Sequence, residues 1–292
     1  MKKEERLVHK VKRLLKRLGC PRWLHRFGPK TYEFLDHLQA LLLRAFCRLS
    51  YRRVKQLFDL LGMKCPSKSA LQYTSAKLNS GFWQKVLRIT SGNPYLVAID
   101  STGLSRTNPS YHYLKRIDGG MPKVPIKLSV AFDTMKKKYC AAKIRVRPAH
   151  DIKDAKSLIK KASPKMIVAD KAYDANWLHE YCKSRNIKAV IPIRRWGKPK
   201  HKNFSIRMQA AKCFKIRIYH RRELVESGNS SNKRKYGSSV SSKKVRTIRT
   251  EVYARLACHN LFSYLARLLG QSPPNNNLYK PPPFSKHYPM DY

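Results

Sequence analysis

The chain has 292 residues, with 63 Lys and Arg against 17 Asp and Glu and a formal net charge of +46. That charge opposes compaction and calls for a polyanionic partner; nucleic acid leads, because neutralising its phosphates releases counterions, and an anionic membrane surface is the plainer rival. No apolar run approaches the ~20 residues of a membrane-spanning helix, the charged N-terminus lacks a secretory apolar region, and seven scattered Cys without C-x-x-C spacing argue against a zinc module or disulfide frame and read as reduced thiols of a cytoplasmic protein.

Residues 1–30 read as a basic amphipathic helix with Leu7, Val11, Leu14, Leu15 and Leu18 on one face, ended by Gly19 and Pro21. An ordinary surface helix and a DNA-backbone contact account for it equally. Residues 34–49 are apolar enough for a buried helix. Ser50 suits the N-cap of a helix over 51–61, with Val54, Leu57, Phe58 and Leu61 on one face. A turn at 62–66 follows, and Ser67 caps a second helix through Leu78. Helix, short turn, helix is the outline of a helix-turn-helix, and the charge favours DNA over a plain helical hairpin. Its second helix offers Lys68, Gln72, Tyr73, Ser75 and Lys77 to phosphates and base edges. The break SGNP at 91–94 separates this helical domain, residues 1–92, from a second one over 93–270.

The second domain opens on YLVAID, residues 95–100, an apolar run that stops on Asp100. Residues 165–170, KMIVAD, stop in the same way on Asp170. Each reads as a strand buried on both faces. As parallel neighbours they would converge two hard oxygen ligands at one sheet edge, as a divalent metal requires; the plainer role for either Asp is to cap the turn that follows. Residues 106–120 read as a loop. Between the two runs, alternation over 126–132 and 142–147 predicts a hairpin with one apolar and one basic face. A helix over 152–162 then lets the first and fourth strands pair in parallel.

Asp174 is expected to cap a helix carrying Trp177, Leu178, Tyr181 and Cys182, ahead of a fifth strand over 189–193. From Tyr181 to Arg222 there are 14 Lys and Arg and no acid, so a polyanion lies against this segment or it is flexible, with a loop at 197–203. A helix beginning near Tyr219 carries Glu223 and Glu226, and a long helix over 251–269 turns Val252, Leu256, Leu261, Tyr264, Leu265 and Leu268 inward. Residues 271–292 form a Pro- and Asn-rich tail expected to be disordered. The order of elements gives an α/β fold, a mixed sheet with helices on its faces behind a small helical domain.

Two carboxylates often recruit a third in phosphoryl transfer, and the late acids are few. Tyr219, Arg222, Glu226 and Lys233 fit the spacing Y-x2-R-x3-E-x6-K. With Asp100 in VAIDSTG, Asp170 in VADKAYD, His150-Asp151, the KRKYG of 233–237 and His259-Asn260, the chain resembles insertion-sequence transposases of the DDE class over roughly residues 35–270. The resemblance implies an RNase H-like core, Mg2+ or Mn2+ as cofactor, and endonucleolytic cleavage with strand transfer on double-stranded DNA, both terminal inverted repeats and target, by a nucleoid-associated homodimer without membrane contact. It assigns Asp100, Asp170 and Glu226 as catalytic metal ligands and Tyr219, Arg222 and Lys233 as DNA-positioning residues. One stretch departs from a good helix: SGNSSN at 227–232, where the helix bearing Glu226 is expected to fray or break. The alternative is a DNA-binding protein without catalysis, an inactivated copy acting as a binder or repressor.

Overall fold

The computed structural model describes residues 3–25, 27, 30–106, 116, 125–194 and 205–268. Helices α1 (Lys3–Arg17), α2 (Phe34–Phe46), α3 (Tyr51–Leu60), α4 (Lys68–Lys77) and α5 (Ser80–Ser91) precede strand β1 (Leu96–Leu104) and the hairpin β2 (Ile126–Asp133) and β3 (Lys138–Arg145). Then come α6 (Ile152–Ala162), β4 (Met166–Ala169), a 3-10 turn (Lys171–Tyr173), α7 (Asn176–Ser184) and β5 (Lys188–Val190). The chain ends in α8 (Ser205–Lys212), α9 (Ile216–Tyr219), a second 3-10 turn (His220–Arg222), α10 (Glu223–Tyr236) and α11 (Val245–Leu268). Most of the loop at 106–120, the one at 197–203 and the tail lie outside the described residues. Among the described residues no helix is long and apolar enough to cross a membrane.

The sheet order is β3-β2-β1-β4-β5. β1 pairs antiparallel with β2 and β2 with β3, while β4 lies parallel to both β1 and β5. This is the mixed arrangement of parallel and antiparallel strands expected of the chain. Alternation along β1 divides the core. Leu96 and Ala98 join the cluster formed with α1, α2, α5 and α11, and Val97 and Ile99 join the opposite one with α6 and α7. A third cluster, Ala40, Val54, Phe58, Cys65 and Leu71, ties α2, α3 and α4 together. Ser50 and Ser67 cap α3 and α4 as expected, each accepting a backbone N–H three residues on at 3.2 Å. The apolar face of α1 is covered: Val11, Leu14 and Leu15 are buried in the main cluster.

Several expectations give way to packing. β1 does not stop at Asp100 but runs to Leu104, so the acid sits within the strand. The hairpin is not half-solvated: from Leu128 to Asp133 every residue of β2 is buried. The cations of β3 turn onto α6 instead, with Lys143 and Arg145 pairing with the fully buried Asp154 at 3.2 and 2.7 Å. Asp174 does not cap α7, whose N-cap is Ala175; it takes His179, Arg207 and the Arg194 N–H instead. Of the α7 residues read from the sequence, Leu178 and Cys182 are buried and Trp177 is 41% exposed. β5 is shorter than expected, and α11 begins six residues before Glu251. Its side chains beyond residue 262, like that of Leu7, lie outside the description.

SGNSSN does not break the helix: α10 runs unbroken through it. Gly, Ser and Asn are poor helix formers, but here they buy proximity. A Cβ at Gly228 would lie 2.9 Å from the Phe132 ring of β2, so only glycine lets α10 approach the sheet this closely, and Asn229 and Asn232 are buried behind it.

Candidate active site

The parallel register of β1 and β4 ends at Ile99 and Ala169. The next residue of each strand is an acid, so Asp100 and Asp170 are side by side. Asp100 is half-buried. Asp170 is exposed and begins the 3-10 turn, its Oδ1 accepting the Lys171 N–H at 2.6 Å. Capping and site placement therefore fall on the same residue.

α10 brings the third group. Asn229, 5% exposed, donates from Nδ2 to Asp100 Oδ2 at 3.1 Å. Its Oδ1 accepts from the buried Tyr139 hydroxyl at 3.4 Å. Asn260 of α11 clamps Tyr139 in turn, accepting its N–H at 2.9 Å and donating to its carbonyl at 2.8 Å. A relay thus runs from α11 through β3 and α10 to the candidate acid. This gives Asn260 a role in holding the fold, as does the bond between neighbouring His259 and the Lys137 carbonyl at 3.1 Å.

Glu226, one turn before Asn229, is half-exposed and ion-paired with Arg222. Burial raises the Asp100 carboxyl above its usual range; the Ser101 N–H opposes this, Glu226 adds to it, and Arg222 and Asn229 counter it. Burial disfavours charge on Arg222, but Glu226, Tyr219 and Asp170 outweigh that and raise it. Arg222 is therefore a cation that feels all three acids. Glu223 is set apart, 71% exposed and facing only His220 at 3.7 Å.

Tyr219 stacks near Phe214, ring centroids 5.4 Å apart, and the Arg222 guanidinium lies 5.9 Å from its ring centre. Lys233 is half-buried, two helical turns beyond Glu226. Lys68, Gln72 and Tyr73 are exposed on α4, Tyr73 by 68%. Ser75, read from the sequence as a DNA contact, is fully buried and accepts from the Tyr51 hydroxyl at 2.9 Å, so it is unavailable. A cavity of about 430 Å³ is lined by His150, Asp151, Ala172, Asp174 and Arg194 among others.

Among the described residues no three His, Cys, Asp or Glu side chains are grouped closely enough to hold a metal ion. Asp100 and Asp170 are adjacent, and Glu226 is engaged by Arg222. The donor chemistry nonetheless suits a hard divalent cation: carboxylate oxygens only, one of them disfavoured as an anion by burial. Asn229 and Tyr139 were not legible as site residues. The available signal was the spacing of three between Glu226 and Asn229, which puts both near one helical face.

A family model described as the transposase DDE domain matches residues 91–261. Solved structures similar to the chain include the piggyBac transposase synaptic complex with hairpin DNA, at 12% identity and TM-score 0.44, covering 90% of this chain and 73% of that one. Another is the Drosophila P element transposase strand transfer complex, at 9% identity and TM-score 0.31, covering 91% and 88%. A third is the simian T-cell lymphotropic virus intasome in complex with PP2A regulatory subunit B56 gamma, at 13% identity and TM-score 0.29. The match covers 76% of this chain and 65% of that one, just under two thirds of its length.

Proposed function

The chain belongs to the transposase DDE-domain family, and from that membership we propose that it is the transposase of an insertion sequence, binding terminal inverted repeats and catalysing metal-dependent strand cleavage and transfer. The observation that carries this is the β1–β4 register, which sets Asp100 beside Asp170 under the helix that bears Glu226. Asp100, Asp170 and Glu226 would hold Mg2+ or Mn2+. When bound, the ions stabilise charge on the attacking and leaving oxygens of an in-line displacement.

The remaining work belongs to the chain. Asn229 fixes the Asp100 carboxylate. Glu226 is held by Arg222; released from that pair, the carboxylate would be available to a cation and the guanidinium to a bidentate phosphate contact. Tyr219 offers a ring for base stacking, and Lys233 a point charge for a phosphate further along α10. Lys68, Gln72 and Tyr73 meet duplex DNA on the exposed side of α4. Inverted repeats are related by a two-fold axis, so the working complex is a homodimer on DNA, acting in the cytoplasm at the nucleoid.

The test is nicking of a labelled duplex carrying the ends that flank the gene, with and without Mg2+. Cleavage only with metal supports the proposal. Binding without cleavage supports the second reading, a DNA-binding protein without catalysis, which the Glu226–Arg222 pair favours because it leaves the three acids unassembled.

A further inference from the structure

A second charged cluster lies away from the acids, between α2, α11 and residues 238–242. Glu251, 4% exposed, is its hub. Its Oε1 accepts from the Ser241 N–H at 3.1 Å and from Arg255 Nη2 at 2.6 Å. Its Oε2 accepts from the Ser242 N–H at 3.0 Å, the Ser242 hydroxyl at 2.6 Å and Arg44 Nη2 at 3.3 Å. The carboxylate is therefore saturated and held well ionised: burial opposes its charge, but Arg44, Ser242 and Arg255 more than offset this.

Arg255 is bonded as well, donating to the Gly237 and Ser239 carbonyls at 2.9 and 2.7 Å, but the other two cations are not saturated. Arg44 is 6% exposed, and its Nε is buried with no hydrogen-bond partner. Arg48, one turn further along the chain, is exposed and donates no hydrogen bond to the described residues. Arg44, Arg48, Arg255, Glu251, Ser239 and Ser241 line one cavity of about 120 Å³. Three guanidiniums face one carboxylate there, leaving two positive charges unmatched. A buried guanidinium nitrogen without an acceptor is costly, and a tetrahedral oxyanion supplies several acceptors at once.

We propose that this cavity is a phosphate-binding site, filled in the working protein by a backbone phosphodiester of bound DNA. Its place in the fold links it to the candidate active site. Ser239 bridges to Ser105, just past the end of β1. Asp100 lies five residues back on the same strand, about 17 Å at ~3.3 Å per residue.

The test uses the full chain and inorganic phosphate as probe. Arg48→Ala removes an exposed side chain and should leave the phosphate-free melting temperature unchanged; Arg44→Lys is the second variant, retaining charge but losing the guanidinium plane. At constant ionic strength, phosphate should raise the wild-type melting temperature saturably, and both variants should lose most of that rise. In a DNA-binding arm, the slope of log K against log salt should fall by about 0.9 in Arg48→Ala, the loss of one phosphate contact. Arg185→Ala, a neutralised exposed arginine elsewhere, should keep the wild-type phosphate response. No phosphate response beyond that of chloride, or an equal response in Arg48→Ala, would overturn the site. A lost phosphate response with an unchanged DNA slope would overturn the DNA occupant and assign the cavity to free phosphate.

Discussion

Asn229 is the residue on which the site's geometry turns. It is buried, its oxygen is committed to Tyr139, and its amide N–H is thereby aimed at Asp100. Groups that orient a metal-binding carboxylate typically change metal affinity or activity ~10–100-fold when lost. Asn229→Ala is therefore expected to lower cleavage by about that factor, with DNA affinity unchanged, in paired nicking and gel-shift assays. The two late glutamates should separate as well. Glu226→Gln is expected to abolish cleavage and Glu223→Gln to retain most of it, because Glu226 acts on Asp100 while Glu223 is exposed beside His220. Asp100, Asp170 and Glu226 stand out as candidates in the sequence because acids are scarce in this chain and each falls at a telling position. Asn229 does not, because nothing local distinguishes an asparagine facing a strand from one facing water.

At the scale of elements, the contact of α10 with β2 decides whether Glu226 reaches the sheet edge. Gly228→Ala would drive a methyl into the Phe132 ring, which is 2% exposed and has little room to yield. Overpacking of this kind costs roughly 1–3 kcal/mol, more than the ~1 kcal/mol that Ala gains over Gly within a helix. A lower melting temperature together with slower cleavage is expected; a rise in stability would contradict the close contact. The sequence suggested a break here because helix propensity is a weak prior that tertiary packing overrides. The hairpin misled for a related reason: its basic face is covered by α6 and neutralised by Asp154. Burial raises the Asp154 carboxyl, but Arg145, Ser129 and Lys143 outweigh it and leave it lowered. A carboxyl lowered on folding contributes stability that is present above its unfolded value, ~3.9, and is lost as pH falls through the folded one. Asp154→Asn should lower stability at neutral pH and flatten the loss of stability below about pH 4, as acid titration followed by circular dichroism would report.

Across the whole molecule, α1, α2 and α5 share one apolar cluster with the sheet, and α2 ties α3 and α4 to them through a second. Trp83 donates to Thr250 at 3.3 Å, and Lys10 to the Leu261 carbonyl at 3.3 Å. Removing residues 1–80 would therefore expose core as well as take away α4, so the cleaner test of α4 is joint replacement of its exposed Lys68, Gln72 and Tyr73 by Ala. That variant is expected to lose preference for the element's ends and keep general DNA affinity. Binding itself should weaken steeply with salt, by about 0.9 in log K per log unit for each neutralised phosphate, as a charge of +46 demands. The β2–β3 hairpin and the parallel pairing of β1 with β4 were legible from the alternation of strands and the crossover helix; the shared core was not, because sequence patterns reveal which face of a helix is apolar and not which partner covers it. The most direct measurement is Mg2+-dependent nicking of a labelled terminal-repeat duplex by wild type and Asp100→Asn, with DNA affinity measured on the same preparations. The account predicts cleavage by wild type, none by Asp100→Asn, and equal affinity; cleavage by Asp100→Asn at the wild-type rate would contradict it.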